Sequence, residues 1–316
     1  MSQLETFALD SAGVHLNVYA LGPVGAPPVL MLHGIRDVAL SLLPVAKHLA
    51  RDFRVFLMDL RGHGRSDRPG VYSMAAMLFD VMTVVDSLAG GRPAIFGHSL
   101  GGQITARFAA TFPDRAGAAI VVEGLGPPPP DGGTNPRALL DREARRIQSL
   151  IPAHMRTLPD LEYATGRLLK NNPRLSPAHG RAIAQAATEP AEDGRLAWAF
   201  DPRAQSVFLA SREARFYWPL VECPVMLGAG ALAHEYWTRA IPLKNGWDGR
   251  FATGELEAIA AMFSDAELVH FEHSGHMVHY DEPDALAEAT RAFLERRFVP
   301  AWTTHNAPGA TGDAAT

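Results

Sequence analysis

Residues 94–102 of the chain read AIFGHSLGG, an apolar run followed by a serine between glycines. A helical pattern, Gly101–Thr111, begins directly after Ser99. On a tight strand-to-helix turn, a serine hydroxyl projects from the carboxyl edge of a sheet, and flanking glycines avoid clashes with the neighbouring strand and helix. The N–H of Leu100 then lies at the positive end of the helix without an intrahelical acceptor. We interpret Ser99 as the nucleophile; the alternative is a serine that only caps the helix.

A histidine near the end of the chain has the position expected of a base. Residues 273–279 read HSGHMVH and follow the predicted strand Leu268–Phe271. A serine hydroxyl is a weak nucleophile that needs an adjacent base, and the order serine then histidine suits such a pair on strand-end loops. We therefore predict that His276 is the base and that His273 and His279 are ordinary polar loop residues.

A third motif supplies backbone donors. His33, Gly34 and Ile35 follow the apolar strand Pro28–Leu32. The N–H groups of Ile35 and Leu100 are predicted to form an oxyanion hole, in which the side chains need not be polar. The alternative is a simple turn that ends the strand.

Short apolar runs alternate with longer helical patterns, which is typical of α/β proteins with a mostly parallel sheet. The predicted strands are Thr6–Leu9, Val14–Tyr19, Pro28–Leu32, Val55–Met58, Ala94–Phe96, Ala118–Val122, Val225–Leu227 and Leu268–Phe271. The predicted helices include Leu40–Ala50, Met74–Leu88, Gly101–Thr111, Gly254–Met262 and Pro283–Phe298.

The alternation stops after Val122. A Pro-rich stretch at 127–130 and a Gly-rich one at 131–133 lead away from the core, and the following segment has helical periodicity without a clear strand. We expect residues 126–217 to form an inserted helical cap and residues 1–125 and 218–300 to form the core. The Ala/Gly/Thr-rich tail, 301–316, is expected to be disordered.

Composition excludes several classes of function. A net charge of −5 without a block of basic residues argues against nucleic-acid binding. The sequence contains no run of about 18 apolar residues, so no membrane span is predicted, and the N-terminus lacks the features of a secretion signal. The single cysteine, Cys223, excludes an internal disulfide and is interpreted as a buried apolar residue. We expect a cytoplasmic protein that acts on a small molecule.

Two polar stretches invite functional interpretations that we do not favour. Residues 59–67 read DLRGHGRSD, but their glycines lack phosphate-loop spacing, so we interpret them as a structural loop rather than a phosphate or metal site. Arg142, Arg145, Arg146 and Arg156 alternate with apolar residues and are expected on solvated helix faces; contact with an anionic substrate is the alternative.

Taken together, these motifs make the chain resemble the α/β-hydrolase superfamily from about Phe7 to Phe298. The resemblance rests on His33-Gly34, the 59–67 loop, the 97–101 turn, and Gly275-His276 followed by Pro283. It implies an eight-stranded, mostly parallel sheet flanked by helices, with a helical cap inserted after the sixth strand. It also implies a monomer or weak homo-oligomer that needs no metal or organic cofactor.

The resemblance also narrows the chemistry. Haloalkane dehalogenases and epoxide hydrolases of the superfamily carry an aspartate where this chain has Ser99, and a serine cannot form their alkyl-enzyme ester. Carboxylesterases, lactonases, thioesterases and carbon–carbon bond hydrolases use serine and remain open.

One departure concerns the acid that orients the base. The superfamily usually has an aspartate just beyond the seventh strand, where residues 228–233 read GAGALA. Glu123 ends the strand Ala118–Val122 at the edge that displays Ser99, and some dehalogenases of the superfamily take their acid from that position. We predict that Glu123 is the triad acid; Glu235 and Asp248 are the rivals.

The leading hypothesis is a serine hydrolase that cleaves an ester, thioester or lactone of a small apolar or aromatic substrate. A carbon–carbon bond hydrolase is one alternative. Another is a ligand-binding, receptor-like protein with little turnover, which the missing aspartate favours. Apolar residues predicted either to line the substrate pocket or to pack within the cap are Leu150, Ile151, Met155, Leu158, Leu161, Tyr163, Leu168, Leu169 and Trp198.

Overall fold

The strands and helices follow the alternation in the sequence. The computed structural model describes residues 4–126, 157–240 and 248–305, with seven positions between 137 and 148. Its strands are β1 (Glu5–Ser11), β2 (Val14–Leu21), β3 (Pro28–Leu32), β4 (Arg54–Met58), β5 (Ala94–His98), β6 (Ala118–Val122), β7 (Thr188–Pro190), β8 (Leu196–Trp198), β9 (Val225–Gly230) and β10 (Ala266–Phe271).

The helices of the described residues lie between and after these strands. They are α1 (Leu43–Leu49), α2 (Met74–Val84), α3 (Leu100–Thr111), α4 (Leu161–Asn171), α5 (Pro177–Ala186), α6 (Ala214–Tyr217), α7 (His234–Ala240), α8 (Glu255–Ala260), α9 (Val278–Asp281), α10 (Pro283–Arg297) and α11 (Val299–His305). None of these described helices combines the length and the apolar character needed to cross a membrane.

Eight strands form one sheet in the order β1-β2-β4-β3-β5-β6-β9-β10. β2 pairs antiparallel with both β1 and β4, and all remaining pairs are parallel. The predicted α/β fold with a mostly parallel eight-stranded sheet is confirmed. Because parallel strands end at the same edge, the loops after β3, β5, β6, β9 and β10 converge there.

The core has two layers because alternate side chains of each strand point to opposite faces of the sheet. Leu30 and Leu32 pack with α2 and α3 on one face, while Val29 and Met31 pack with α1 and α10 on the other. Strands buried on both faces are expected to be continuously apolar, which explains why β3 and β6 are apolar throughout.

Close backbone contact brings α3 against the end of β6. A Cβ built on Gly102 would lie 2.8 Å from the Gly124 Cα, so a side chain at either position would push the helix away. The N–H of Ser99 donates to the Val122 carbonyl oxygen at 2.9 Å. The start of α3 and the end of β6 are therefore held together, with Glu123 beside Ser99.

The segment between β6 and β9 is not purely helical, contrary to expectation. β7 and β8 form an antiparallel two-stranded sheet apart from the main one. Its turn is closed by the N–H of Ala191 donating to the Arg195 carbonyl oxygen at 2.9 Å, with Gly194 at φ 76°. Three-residue strands are too short to show an alternating pattern, which is why the sequence did not reveal them.

Part of the predicted tail is helical. Residues 301–305 belong to α11, so the prediction of disorder from 301 onward is wrong for these five positions. The N–H of Trp302 donates to the Phe298 carbonyl oxygen at 3.0 Å, and the Trp302 side chain packs on the core. Residues 306–316 lie outside the described part of the chain.

A buried ion pair ties the 59–67 loop to α2. Arg61 Nε and Nη2 each lie 2.5 Å from a carboxylate oxygen of Asp80, and both side chains are buried. Ser11 of β1 donates to the same carboxylate at 2.6 Å. We expect Asp80→Asn to lower the free energy of unfolding by about 3–5 kcal/mol, because it leaves the Arg61 charge buried without its partner. Urea unfolding measures this loss.

The matched control is Asp86→Asn, six positions after Asp80, where the exposed Asp86 side chain pairs with Arg115. Exposed pairs contribute about 0–1 kcal/mol, so this variant should unfold near the wild-type midpoint. Equal losses in the two variants would contradict the role assigned to the buried pair.

Candidate active site

The turn at Ser99 has the geometry expected of a strained strand-to-helix connection. Ser99 has φ 52° and ψ −112°, outside the regions that side chains favour. A Cβ built on Gly97 would lie 2.1 Å from the Gly101 carbonyl oxygen, and one on Gly101 would lie 2.3 Å from the Leu32 carbonyl oxygen. Only glycine fits at both positions. The Ser99 side chain makes no capping hydrogen bond to α3, contrary to the alternative interpretation.

The structure brings the Ser99 hydroxyl to His276. His276 lies on the loop between β10 and α9, and its Nε2 is 3.0 Å from Ser99 Oγ. Both residues are buried. Ser99 and His276 are 177 positions apart in the sequence and meet because β5 and β10 end at the same edge of the sheet.

Glu123 lies on the other side of the imidazole. Its Oε2 is 2.9 Å from His276 Nδ1, and its Oε1 accepts the Gly230 N–H at 2.8 Å. The Glu123 backbone has φ 51° and donates its own N–H to the Gly228 carbonyl oxygen at 2.8 Å. A carboxylate only accepts at neutral pH, so Nδ1 carries the proton and Nε2 is free to accept from Ser99.

The two rival acids lie elsewhere. Glu235 Oε2 pairs with Arg174 Nη2 at 2.8 Å, and this hydrogen bond lowers the pKa of Glu235. Asp248 is exposed and accepts the Arg250 N–H at 2.9 Å. Within the described residues, the carboxylate that bonds to His276 is that of Glu123.

The turn that precedes Ile35 lies beside this group. A Cβ built on Gly34 would lie 3.3 Å from Ser99 Cβ and 2.9 Å from His98 Nδ1, so the turn after β3 runs directly against Ser99. His33 supports the turn: its Nδ1–H donates to the Gly34 carbonyl oxygen at 2.7 Å, and its Nε2 accepts the Leu60 N–H at 3.0 Å. That the N–H groups of Ile35 and Leu100 bind an oxyanion stays a prediction.

The 59–67 loop braces the site through hydrogen bonds. Asp59 is buried and accepts from Asn17 Nδ2 at 2.9 Å, from the Ala39 N–H at 2.8 Å and from the Arg65 N–H at 3.1 Å. His63 is fully buried, and burial lowers its pKa to about 3, so the ring is neutral. These contacts agree with the structural interpretation of the loop.

Cys223 fits its predicted role as well. It is buried directly before β9, and burial raises the pKa of its thiol to about 12. Of the four arginines expected on solvated helix faces, Arg145 is exposed. Arg142, Arg146 and Arg156 lie outside the described residues.

The prediction for His279 is wrong, because this residue is buried rather than a polar surface residue. Its Nε2 lies 3.3 Å from Asp37 Oδ2, and the same carboxylate accepts from Ser41 Oγ at 2.8 Å and from Tyr280 Oη at 3.1 Å. Burial raises the pKa of Asp37, but the hydrogen bond and charge of His279 outweigh this and hold it well below its ordinary value. His273, in contrast, is exposed as expected.

His98 connects this network to the base. Its Nε2–H donates to the His276 carbonyl oxygen at 2.8 Å, which fixes the loop that carries the imidazole. Burial lowers the pKa of His98 well below its ordinary value, so the ring stays neutral. The His98 ring also packs against the His279 ring, with centroids 4.4 Å apart. The sequence places His98 next to Ser99 but gave no sign of this contact with His279.

Asp37, His98 and His279 form the one group of metal-ligating side chains found among the described residues, with ligand atoms within 4.8 Å of one another. The Asp37 carboxylate already accepts from Ser41, Tyr280 and His279, and His98 donates to a carbonyl. These bonds engage the Asp37 carboxylate and the Nε2 atoms of His98 and His279 in a hydrogen-bonded network, while the Nδ1 atoms of both histidines have no hydrogen-bond partner among the described residues.

The described part of the inserted segment packs both on itself and on the core. Leu158, Leu161, Leu168 and Trp198 surround Ala164, and Leu168, Leu169 and Trp198 also contact a cluster that includes Val38 and Tyr280. Tyr163 is exposed. Leu158 and Leu161 pack within the segment, whereas Leu168, Leu169 and Trp198 also pack on the core. That any of them lines a substrate pocket stays a prediction, and Leu150, Ile151 and Met155 lie outside the described residues.

Two aromatic side chains that sequence reasoning missed contact the base. The Tyr236 ring stacks on the His276 ring at 4.0 Å between centroids, and the Trp237 ring lies edge-on at 4.9 Å. Both belong to α7, after β9. The one sequence signal that could have pointed to them is their position a few residues after 228–233, where the triad aspartate is usually found.

Comparison with known proteins assigns the family. The family model described as alpha/beta hydrolase fold matches residues 27–283, and the chain belongs to this family. Serine hydrolase-like protein 2 of Homo sapiens is 30% identical over 308 residues, which span 89% of this chain and 91% of that protein. Membership supports a hydrolytic role.

Other relatives differ in chemistry. Epoxide hydrolase 4 of Mus musculus is 29% identical over 117 residues, 36% of this chain and 33% of that protein. The thioesterase domain from the curacin biosynthetic pathway superposes with a TM-score of 0.75 at 23% identity, over 91% of this chain and 99% of that domain. At that identity the likeness shows the fold alone.

Proposed function

We propose that this hydrolase is a serine hydrolase that cleaves an ester, thioester or lactone through an acyl-enzyme at Ser99. The observation that carries the proposal is the hydrogen-bonded series from Ser99 Oγ to His276 Nε2, 3.0 Å, and from His276 Nδ1 to Glu123 Oε2, 2.9 Å. Nucleophile, base and orienting acid are in hydrogen-bond contact, which is the arrangement that acyl transfer requires.

The reaction follows from this arrangement. Ser99 Oγ attacks the carbonyl carbon while His276 Nε2 takes its proton, and the oxyanion of the tetrahedral intermediate accepts from the N–H groups of Ile35 and Leu100. His276 returns the proton to the leaving alcohol or thiol as the acyl-enzyme forms. A water molecule then gives a proton to His276 and attacks the acyl carbon, and the acid leaves as Ser99 regains its proton.

The nucleophile separates this proposal from epoxide hydrolysis. An alkyl-enzyme ester needs a carboxylate at position 99, and the partial similarity to epoxide hydrolase 4 does not supply one. Binding without turnover was favoured by the missing aspartate after β9. Glu123 makes the hydrogen bond to His276 that the aspartate would otherwise make, so the missing aspartate no longer favours a receptor.

We infer a small apolar or aromatic acyl group, because the inserted segment brings apolar side chains, Leu168 and Trp198, against Val38 and Tyr280 of the core. Cytoplasmic location and a monomeric or weakly associating enzyme are further parts of the proposal. A single buried cysteine, Cys223, supports a reducing compartment.

The direct test of the proposal is covalent labelling. A fluorophosphonate probe should modify Ser99, as mapped by mass spectrometry, because His276 activates this hydroxyl. Ser99→Ala should abolish both labelling and steady-state hydrolysis of p-nitrophenyl butyrate, whereas Ser87→Ala, at an exposed serine, should leave both unchanged. Folded wild-type protein that is not labelled at Ser99 would refute the proposal.

The acid is tested by a set of three isosteric variants. Glu123→Gln should lower kcat by about 10⁴-fold, because an amide does not hold the Nδ1–H tautomer or stabilise the imidazolium. Asp248→Asn should retain near wild-type kcat, and Glu235→Gln should lose far less than Glu123→Gln, since neither carboxylate contacts His276. Circular dichroism checks that each variant is folded. Near-native turnover in Glu123→Gln, with a large loss in either of the others, would contradict the assignment.

A further inference from the structure

The loop after β9 covers one face of the His276 ring with aromatic side chains. The Tyr236 and His276 rings are within 13° of parallel, with centroids 4.0 Å apart, so the imidazole lies over the face of the phenol ring. Trp237 approaches the same imidazole at 4.9 Å and 66°. Trp237 is buried and Tyr236 is partly buried.

Backbone contacts and an ion-pair network hold α7 against the loop of the base. A Cβ built on Gly230 would lie 2.3 Å from the Gly275 carbonyl oxygen, so the end of β9 touches the residue before His276. Arg174 bridges Glu235 of α7 and Asp281 of α9, at 2.8 and 3.0 Å. These contacts hold the Tyr236 ring in a fixed position relative to the imidazole.

The charges around the imidazole define what such a ring can do. Glu123 faces Nδ1 and Ser99 faces Nε2, while the neutral ring of His98 lies 5.1 Å away. Tyr236 lies over one face of the ring, and Trp237 approaches it edge-on. When the base takes a proton, its positive charge therefore lies over an aromatic face in a site largely closed to water.

We propose that Tyr236 stabilises the imidazolium form of His276 by a cation–π interaction, with Trp237 completing the aromatic enclosure. An aromatic face within about 6 Å attracts a cation, most strongly when the pair is desolvated. The proposal rests on the serine-hydrolase function given above. Tyr236 acts through His276 and is a positioning residue.

The Tyr236 hydroxyl is protonated, as the cation–π role requires. Burial raises the pKa of the Tyr236 hydroxyl, and the nearby charge of Arg36 opposes this only in part. The hydroxyl therefore stays protonated, and the attraction comes from the ring face. The segment after β9 lacks the aspartate expected from the family resemblance. In place of a carboxylate, it contributes the Tyr236 ring face and the Gly230 N–H.

The first experiment compares Tyr236→Leu with Tyr236→Phe. The leucine keeps apolar bulk but removes the ring face, and kcat should fall about 5- to 30-fold with little change in KM. Phenylalanine keeps the face and should stay within about twofold of wild type. The acid limb of the pH–rate profile should move to lower pH by about one unit in the leucine variant, because the imidazolium has lost a stabilising contact.

A second series keeps the shape of the ring. Phenylalanines with one, two and three fluorine atoms, introduced at position 236, withdraw charge from the ring face at nearly constant size. The proposal predicts a stepwise fall of kcat and a matching shift of the acid limb with each fluorine. This series decides the question even if Tyr236→Leu fails to fold.

Three outcomes would overturn the proposal. These are unchanged kcat across the fluorinated series, an equal loss in Tyr236→Phe and Tyr236→Leu, or a change confined to KM, which would indicate a substrate contact. NMR titration of the His276 ring in the same variants does not require turnover. If the wild type were unlabelled and inactive but the Tyr236 variants showed the predicted shift of the His276 NMR midpoint, the proposed function would be refuted while the contact between Tyr236 and the imidazolium would be supported.

Discussion

The hydrogen bond between Glu123 and His276 is the contact on which the rest of the site depends. The carboxylate fixes the proton on Nδ1, which leaves Nε2 to accept from Ser99. Without it, Ser99 would be a weak nucleophile beside an imidazole of undefined tautomer. The Gly230 N–H holds the other carboxylate oxygen, so the end of β9 still contributes to the acid's placement.

The fold makes this contact possible through close backbone approaches. β5, β6 and β10 end at one edge of the sheet, so residues separated by 153 and 177 positions come within hydrogen-bond distance. The glycine pair at 102 and 124 lets α3 lie against the end of β6, and the glycines flanking Ser99 permit its tight turn. With the acid on β6, the loop after β9 is available to present Tyr236 to the base.

The sequence predicted the sheet and the grouping of Ser99, His276 and Glu123 because strand-end loops and glycine spacing are local signals. It did not predict features created by tertiary packing. His279 gave no local sign of its burial against Asp37, and the ring contact of Tyr236 depends on how α7 folds back over the site. The short strands β7 and β8 were missed because three residues show no period.

The most direct test of this account is the protonation state of the imidazole in the resting protein. Nitrogen-15 NMR of labelled His276 at neutral pH reports which ring nitrogen carries the proton. The account predicts a protonated Nδ1, bonded to Glu123, and an unprotonated Nε2 that accepts from Ser99. A proton on Nε2 with an unprotonated Nδ1 would contradict it.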